Sequence, residues 1–237
     1  MKINKAYFFL AFMILVLIGL SWFSLQRNQV REKQNILVDF TQSPRFLDTI
    51  SVNKMLTQYW SAKSVQEKDS LDLDMLEDQL KSVDVIENAE VFMLHEGDLA
   101  VSITERIPTF IIESTPPLFG DAKGAVFPYV AIEDLELPVF KTDNSSSTFV
   151  STARLIEKLK LDSFISTELE TLYLEGSTYK MQLKSYPFEV VLGSPSLLNE
   201  KIEKLKVFCA FQNVQDSLSG YKKINLTYLN QVVAITP

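Results

Sequence analysis

The sequence contains one cysteine and one histidine in 237 residues, and this scarcity removes most of the chemistry expected of a chain this long. A lone Cys209 cannot close an internal disulfide in any redox compartment. A zinc site needs several His, Cys or carboxylate ligands at tight spacing, and the nitrogen and sulfur ligands are missing. His95 sits at the tip of a hairpin pattern, while Cys209 falls on the apolar stripe of a helix pattern. The two therefore do not read as a nucleophilic pair, and Cys209 reads as a small buried hydrophobe. Glycine is also sparse, at 7 residues, and no G-x-x-x-x-G-K, G-x-G-x-x-G or G-x-S-x-G occurs, which excludes the usual phosphate cradles and the serine elbow. Positive charge is in short supply: 23 Lys or Arg face 30 Asp or Glu, a net charge of −7. That balance argues against nucleic acid and against anionic lipid surfaces as partners. Carboxylates are plentiful, but Asp72 and Asp74, or Glu133, Asp134 and Glu136, read as helix-start and loop charges rather than as a pair converging on a cleft. No catalytic, metal-binding or cofactor-binding residue is assigned.

One long apolar run is present. Ala6 to Gln26 reads AYFFLAFMILVLIGLSWFSLQ without a charge, after Lys2 and Lys5. An apolar helix of about 20 residues spans a hydrocarbon core of roughly 30 Å, and Tyr7 and Trp22 near its ends suit the interfacial belts. A cleaved secretory signal would have a shorter apolar part and small residues at its end, where Trp22 and Phe23 stand. The run therefore predicts an uncleaved transmembrane helix over 6–26, with a tail over 1–5 and a juxtamembrane linker over 27–34. Its orientation stays open on charge alone, because Lys2 and Lys5 on one side face Arg27, Arg31 and Lys33 on the other.

With 46% apolar residues over the whole chain and few glycines, the part beyond the anchor suits two modest domains. Asn35 to Phe40 is a strand candidate. Ser51 is read as the cap of a helix with Met55, Leu56, Tyr59 and Trp60 on one face, and Ser61 to Ser70 as a loop. Asp74 and Glu77 form a D-x-x-E start for a second helix carrying Leu76, Leu80 and Val83. A period of two then sets in: Ala89, Val91 and Met93, a turn at His95 to Asp98, then Leu99, Val101 and Ile103, the clearest hairpin in the chain. Past Pro108 come short β-prone pieces broken by Pro and Gly, and Asn144 to Ser147 read as a loop. A helix over about Thr148 to Leu159 and three alternating strands around Leu172, Met181 and Val190 follow. Ser194 and Pro195 then read as the start of a helix with Leu198, Ile202, Leu205 and Cys209 on one stripe. Two closing strands, Lys223 to Tyr228 and Gln231 to Ile235, turn at Leu229 and Asn230. The sequons at Asn144 and Asn225 matter only in a glycosylating host.

Several pieces resemble the FtsQ/DivIB family of bacterial cell-division proteins. Ile86-Glu87-Asn88-Ala89-Glu90-Val91, followed by Leu99 to Thr104 and Glu105-Arg106-Ile107-Pro108, is similar to the family signature V-x-x-A-x-V … L-x-I-x-V-x-E-R-x-P that closes its POTRA domain. Gly120 to Phe127 is similar to D-x-x-G-x-V-F, Leu137-Pro138 to the family's L-P, and Lys223 to Tyr228 to the strand that closes its β domain. The chain departs at Val85, where many members carry Trp, and at His95-Glu96-Gly97, in place of W-P-N.

The resemblance implies a fold and a role. The fold is α+β: an N-terminal transmembrane helix, a POTRA-type βααββ domain over 35–107, and an FtsQ-type β-rich domain with two flanking helices over 108–237. The role is that of a non-enzymatic scaffold, without cofactors, in the inner membrane at the division septum, with the amino terminus in the cytoplasm and the domains in the periplasm. It implies capture of FtsB/FtsL-type partners by edge-strand pairing through Thr227, Tyr228, Leu229, Val232, Val233 and Ala234. Glu105, Arg106 and Pro108 are expected to orient the domains or to take part in recruitment. Tyr228 alternates with Leu226 and Ile224, so an inward-packed core role stands beside the partner role. Two further readings remain: a POTRA-bearing assembly or export factor, and an anchored carboxylate-dependent envelope hydrolase.

Overall fold

The computed structural model describes residues 5–30, 36–63, 72–94, 98–142, 149–215 and 220–236. The first element, α1 (Lys5–Val30), is one unbroken helix of 26 residues. The linker expected from residue 27 is therefore helical as far as Val30, and 31–34 lie outside the described residues. Among the described residues no helix is long and apolar enough to cross a membrane; the side chains of 5–8, 11 and 25–30 lie outside that set.

By its internal contacts the chain divides into two units, Met1–Glu105 and Arg106–Pro237. In the first, β1 (Ile36–Phe40), α2 (Thr49–Lys63), α3 (Leu73–Lys81), β2 (Ile86–Met93) and β3 (Leu99–Glu105) follow α1. The sheet order is β1-β3-β2, with β1 parallel and β2 antiparallel to the central β3. Alternation sends Ala89 and Val91 of β2, and Leu99, Val101 and Ile103 of β3, into a core closed by Val52 and Leu56 of α2 and by Leu76 and Leu80 of α3.

Both helix starts differ from the sequence reading. Ser51 does not cap α2: Asp48 accepts the Ser51 N–H at 2.7 Å and its own carbonyl accepts from Val52, so the helix begins at Thr49. Likewise Asp72, not Asp74, caps α3, accepting from Met75 N. In each case a carboxylate earlier in the chain reaches the free N–H groups first. Glu77, no longer needed at the helix start, accepts the Val91 N–H of β2 at 2.9 Å through Oε1 and pairs with Lys81 at 3.1 Å through Oε2. The loop expected over Ser61 to Ser70 begins three residues late, because α2 runs to Lys63; 64–71 and the turn residues His95, Glu96 and Gly97 lie outside the described residues.

Among the described residues, the second unit is a nine-stranded mixed sheet with three helices. Its elements are β4 (Pro108–Ile112), β5 (Leu118–Asp121), β6 (Val126–Pro128), β7 (Val139–Thr142), α4 (Phe149–Lys160), α5 (Ser163–Glu168), β8 (Leu169–Glu175), β9 (Thr178–Leu183), β10 (Glu189–Gly193), α6 (Leu198–Gln215), β11 (Lys223–Asn225) and β12 (Val233–Ile235). The strand order is β12-β11-β10-β9-β8-β7-β4-β5-β6. The meander β8-β9-β10 is antiparallel, while α4 with α5 and then α6 make the crossovers that let β7 pair parallel with β8 and β10 parallel with β11. Phe110, Phe140 and Phe188 are fully buried, and Phe110 meets Phe140 edge to face at 6.1 Å.

The two flanking helices expected here become three. Asp162 caps α5, accepting from Phe164 and Ile165, and six residues are too few to display a helical period. Nor do Ser194 and Pro195 open α6, which starts at Leu198 after Leu197 takes a left-handed φ of 52°. The Ser194 carbonyl instead accepts from the buried Lys201 Nζ at 2.7 Å. Both closing strands are shorter than their patterns, three residues each.

The Val91 N–H, and secondarily Lys81, hold the Glu77 carboxyl below its usual acidity range. A carboxylate depressed by folding stabilises the native state at neutral pH, and that share is lost as pH falls through its folded value. Urea titrations should find Glu77→Gln about 1 kcal/mol less stable than wild type at pH 7, with the difference shrinking toward pH 3. A constant difference would show that Glu77 acts without its charge.

Candidate partner-binding edge

Glu105 and Arg106 are adjacent in sequence, yet each charge serves its own unit. The Glu105 carboxylate, buried at the end of β3, accepts from the backbone N–H groups of Arg45, Phe46 and Leu47 at 2.6 to 3.3 Å and so fixes the approach to α2. Arg106 Nη1 donates to Asp121 Oδ2 at 2.8 Å. Asp121 Oδ1 at the same time accepts from Lys123 N and Ala125 N, closing the tight turn between β5 and β6. Gly124 completes that turn at φ +82°, where a Cβ would stand 2.6 Å from the Val150 backbone. Pro108 is buried as the first residue of β4, a position where a strand tolerates a missing N–H. The E-R-x-P and D-x-x-G segments are thus joined through Arg106 and Asp121, a link across 15 residues that no spacing rule signals.

The large sheet has two edges. One, β6, ends in Pro128, and the next ring, Tyr129, lies on Phe119 at 4.8 Å; proline and a short strand blunt an edge against further pairing. The other, β12, pairs only with β11 (Lys223 opposite Ile235, Ile224 opposite Ala234, Asn225 opposite Val233) and has no strand on its far side among the described residues. Val233 and Ala234 lie in this edge. Val232 packs partly against the core just before it.

Thr227 and Tyr228, expected in a strand, lie with the turn residue Leu229 in the connection between β11 and β12. Asn225 ends β11, because its side-chain oxygen accepts from both Thr227 N and Thr227 Oγ1. The alternation of Ile224 and Leu226, both fully buried, therefore stops there, and Tyr228 turns outward at 49% exposure with Leu229 at 66%. Lys204 of α6 holds the connection from beneath, donating to the Tyr228 and Leu229 carbonyls at 2.7 and 3.1 Å. Gly193, at φ +72° in the bulged end of β10, leaves room for it: a Cβ there would meet Thr227 Cγ2 at 2.6 Å. A cleft of about 140 Å³ between this connection and the start of α6 includes Lys201 and Lys204. Burial, then the neighbouring Lys204, pushes the Lys201 ammonium below its ordinary range. Cys209 lies in the core, where burial pushes its thiol up to about 11. Among the described residues no group of side chains could hold a metal ion.

The second unit is an α+β fold whose large sheet is blunted by Pro128 at one margin and, among the described residues, has no strand beyond β12 at the other, where Tyr228 is exposed. Residues 109–235, more than half of the chain, match the family described as FtsQ/DivIB, C-terminal related. The chain belongs to that family and is a cell-division protein. No curated protein matches it.

Removing the Arg106 side chain would leave Asp121 with its backbone donors and no counter-charge. Arg106→Ala should destabilise the second unit by about 2–4 kcal/mol, and Arg106→Lys by less. Hydrogen exchange over 108–128 during denaturant titration reads this directly. A loss below about 0.5 kcal/mol, typical of a surface position, would show that the pair contributes little.

Proposed function

We propose that the chain is a non-enzymatic, membrane-anchored scaffold of the bacterial division complex. Ala6 to Gln26, within the 26-residue helix α1, is its single span. The amino terminus lies in the cytoplasm and the rest in the periplasm, as the family likeness implies. The βααββ arrangement over 35–107 is read as a POTRA-type domain, and 108–237 as the FtsQ-type β domain. FtsB/FtsL-type proteins are the partners, and the division septum is the site of action.

The observation that carries this reading is the open edge of β12 beside the outward-turned Tyr228 and Leu229, inside the matched span. A partner strand laid along β12 would gain backbone hydrogen bonds that set its register. Tyr228 and Leu229 would supply an aromatic and an aliphatic anchor at the strand's end. Confinement to the membrane plane raises the effective concentration of anchored partners, so a short edge suffices. Glu105, Arg106 and Pro108 support the reading indirectly: they fix the units on either side of the junction rather than offering a free docking surface.

The test uses the full-length chain. Tyr228→Lys should abolish capture of the partner subcomplex while changing stability by less than about 1 kcal/mol. Capture at unchanged affinity would reject the site. A fluorescent fusion should gather at mid-cell during division, whereas a uniform envelope signal would count against the scaffold reading.

A further inference from the structure

The small sheet of the first unit carries its exposed apolar residues at one end. Because β1 is parallel to β3 and β2 is antiparallel to it, Ile36, Leu99 and Met93 form one row across the sheet, and Leu37, Ala100 and Phe92 the next. The first row marks the end where the chain arrives from α1. The second lies on the face away from α2 and α3, with Leu37 56% and Phe92 47% exposed. Met93, at 48%, and Leu94, at 37%, continue the apolar surface around the rim. Two rows further along, about 7 Å by strand geometry, the same face turns polar across all three strands, with Asp39, Ser102 and Glu90. The apolar band is thus one row deep and runs squarely across the strand direction.

We propose that this end of the first unit, with Leu37, Phe92, Met93 and Leu94, rests in the interfacial layer of the bilayer that holds α1. The proposal depends on reading Ala6 to Gln26 as a membrane span. Only residues 31–35 separate α1 from β1, a reach of at most roughly 20 Å even when extended. The apolar end is therefore the part of the unit that the tether keeps nearest the membrane. The depth of the band matches the roughly 5–10 Å to which interfacial apolar surfaces sink. A protein partner covering the sheet face would instead call for apolar residues along the strands, where Asp39 and Glu90 stand. The surplus of acidic residues makes the contact apolar rather than electrostatic, so it should favour zwitterionic lipid.

The full-length chain, reconstituted in phosphatidylcholine vesicles, tests this with an environment-sensitive fluorophore on a single introduced cysteine at Phe92→Cys, Leu94→Cys or, as the polar-row control, Glu90→Cys. Cys209 stays in place, since it is buried. Phosphatidylcholine bearing a nitroxide near its headgroup should quench the probe at 92 and 94 at least twofold more than at 90. The contrast should shrink as phosphatidylglycerol is added. Equal, weak quenching at all three sites overturns the contact, and so does a blue-shifted but unquenched probe at 92 and 94, which would mean that protein covers this end. In both cases retention of the chain after alkaline carbonate washing leaves the span intact. Release of the chain by carbonate overturns the span and the contact with it.

Discussion

Two charges on consecutive residues, Glu105 and Arg106, are both committed to folded structure, and the rest of the molecule is arranged around where each goes. A buried ion is costly unless its hydrogen-bonding capacity is met. Glu105 meets it on the backbone N–H groups of 45–47, and Arg106 on Asp121, itself tied to the turn that follows β5. The first arrangement fixes the approach to α2; the second pins β4 against β5. Because the peptide between them joins one satisfied network to another, the boundary between units falls there, with no glycine or flexible linker to mark it.

The period-two runs were legible from the residues. The hairpin of β2 and β3 and the meander β8 to β10 follow their hydrophobic alternation, and the stripes of α4 and α6 face the core as spaced. What the sequence did not reveal were competitions decided by geometry. Asp48 outcompetes Ser51 and Asp72 outcompetes Asp74 because a side chain one position before the helix reaches its free N–H groups. The candidate edge shows the same limit: the alternation Ile224, Leu226, Tyr228 reads as one strand. The Asn225 side chain ends it by a local bond that periodicity cannot register, and this turns Tyr228 out to solvent. The residues of the edge were legible through their order along the chain, not through any chemistry of their own.

The asymmetry of the large sheet follows from equally small devices. Pro128 and the Phe119 to Tyr129 contact close one margin, while at the other Gly193 makes space, Lys204 grips two carbonyls and Asn225 stops the ladder. The same sheet thereby resists uncontrolled pairing at β6, while among the described residues no strand lies beyond β12.

In the first unit the central strand, β3, is also the last in sequence, and β1 and β2 each pair with it and not with each other. Ile36 waits for Leu99, and no earlier pairing can hold β1 in place. During synthesis this unit therefore gains no partial sheet from its first strand. Every strand pairing of this sheet waits for β3, so the unit's sheet cannot begin to form until its last strand is made.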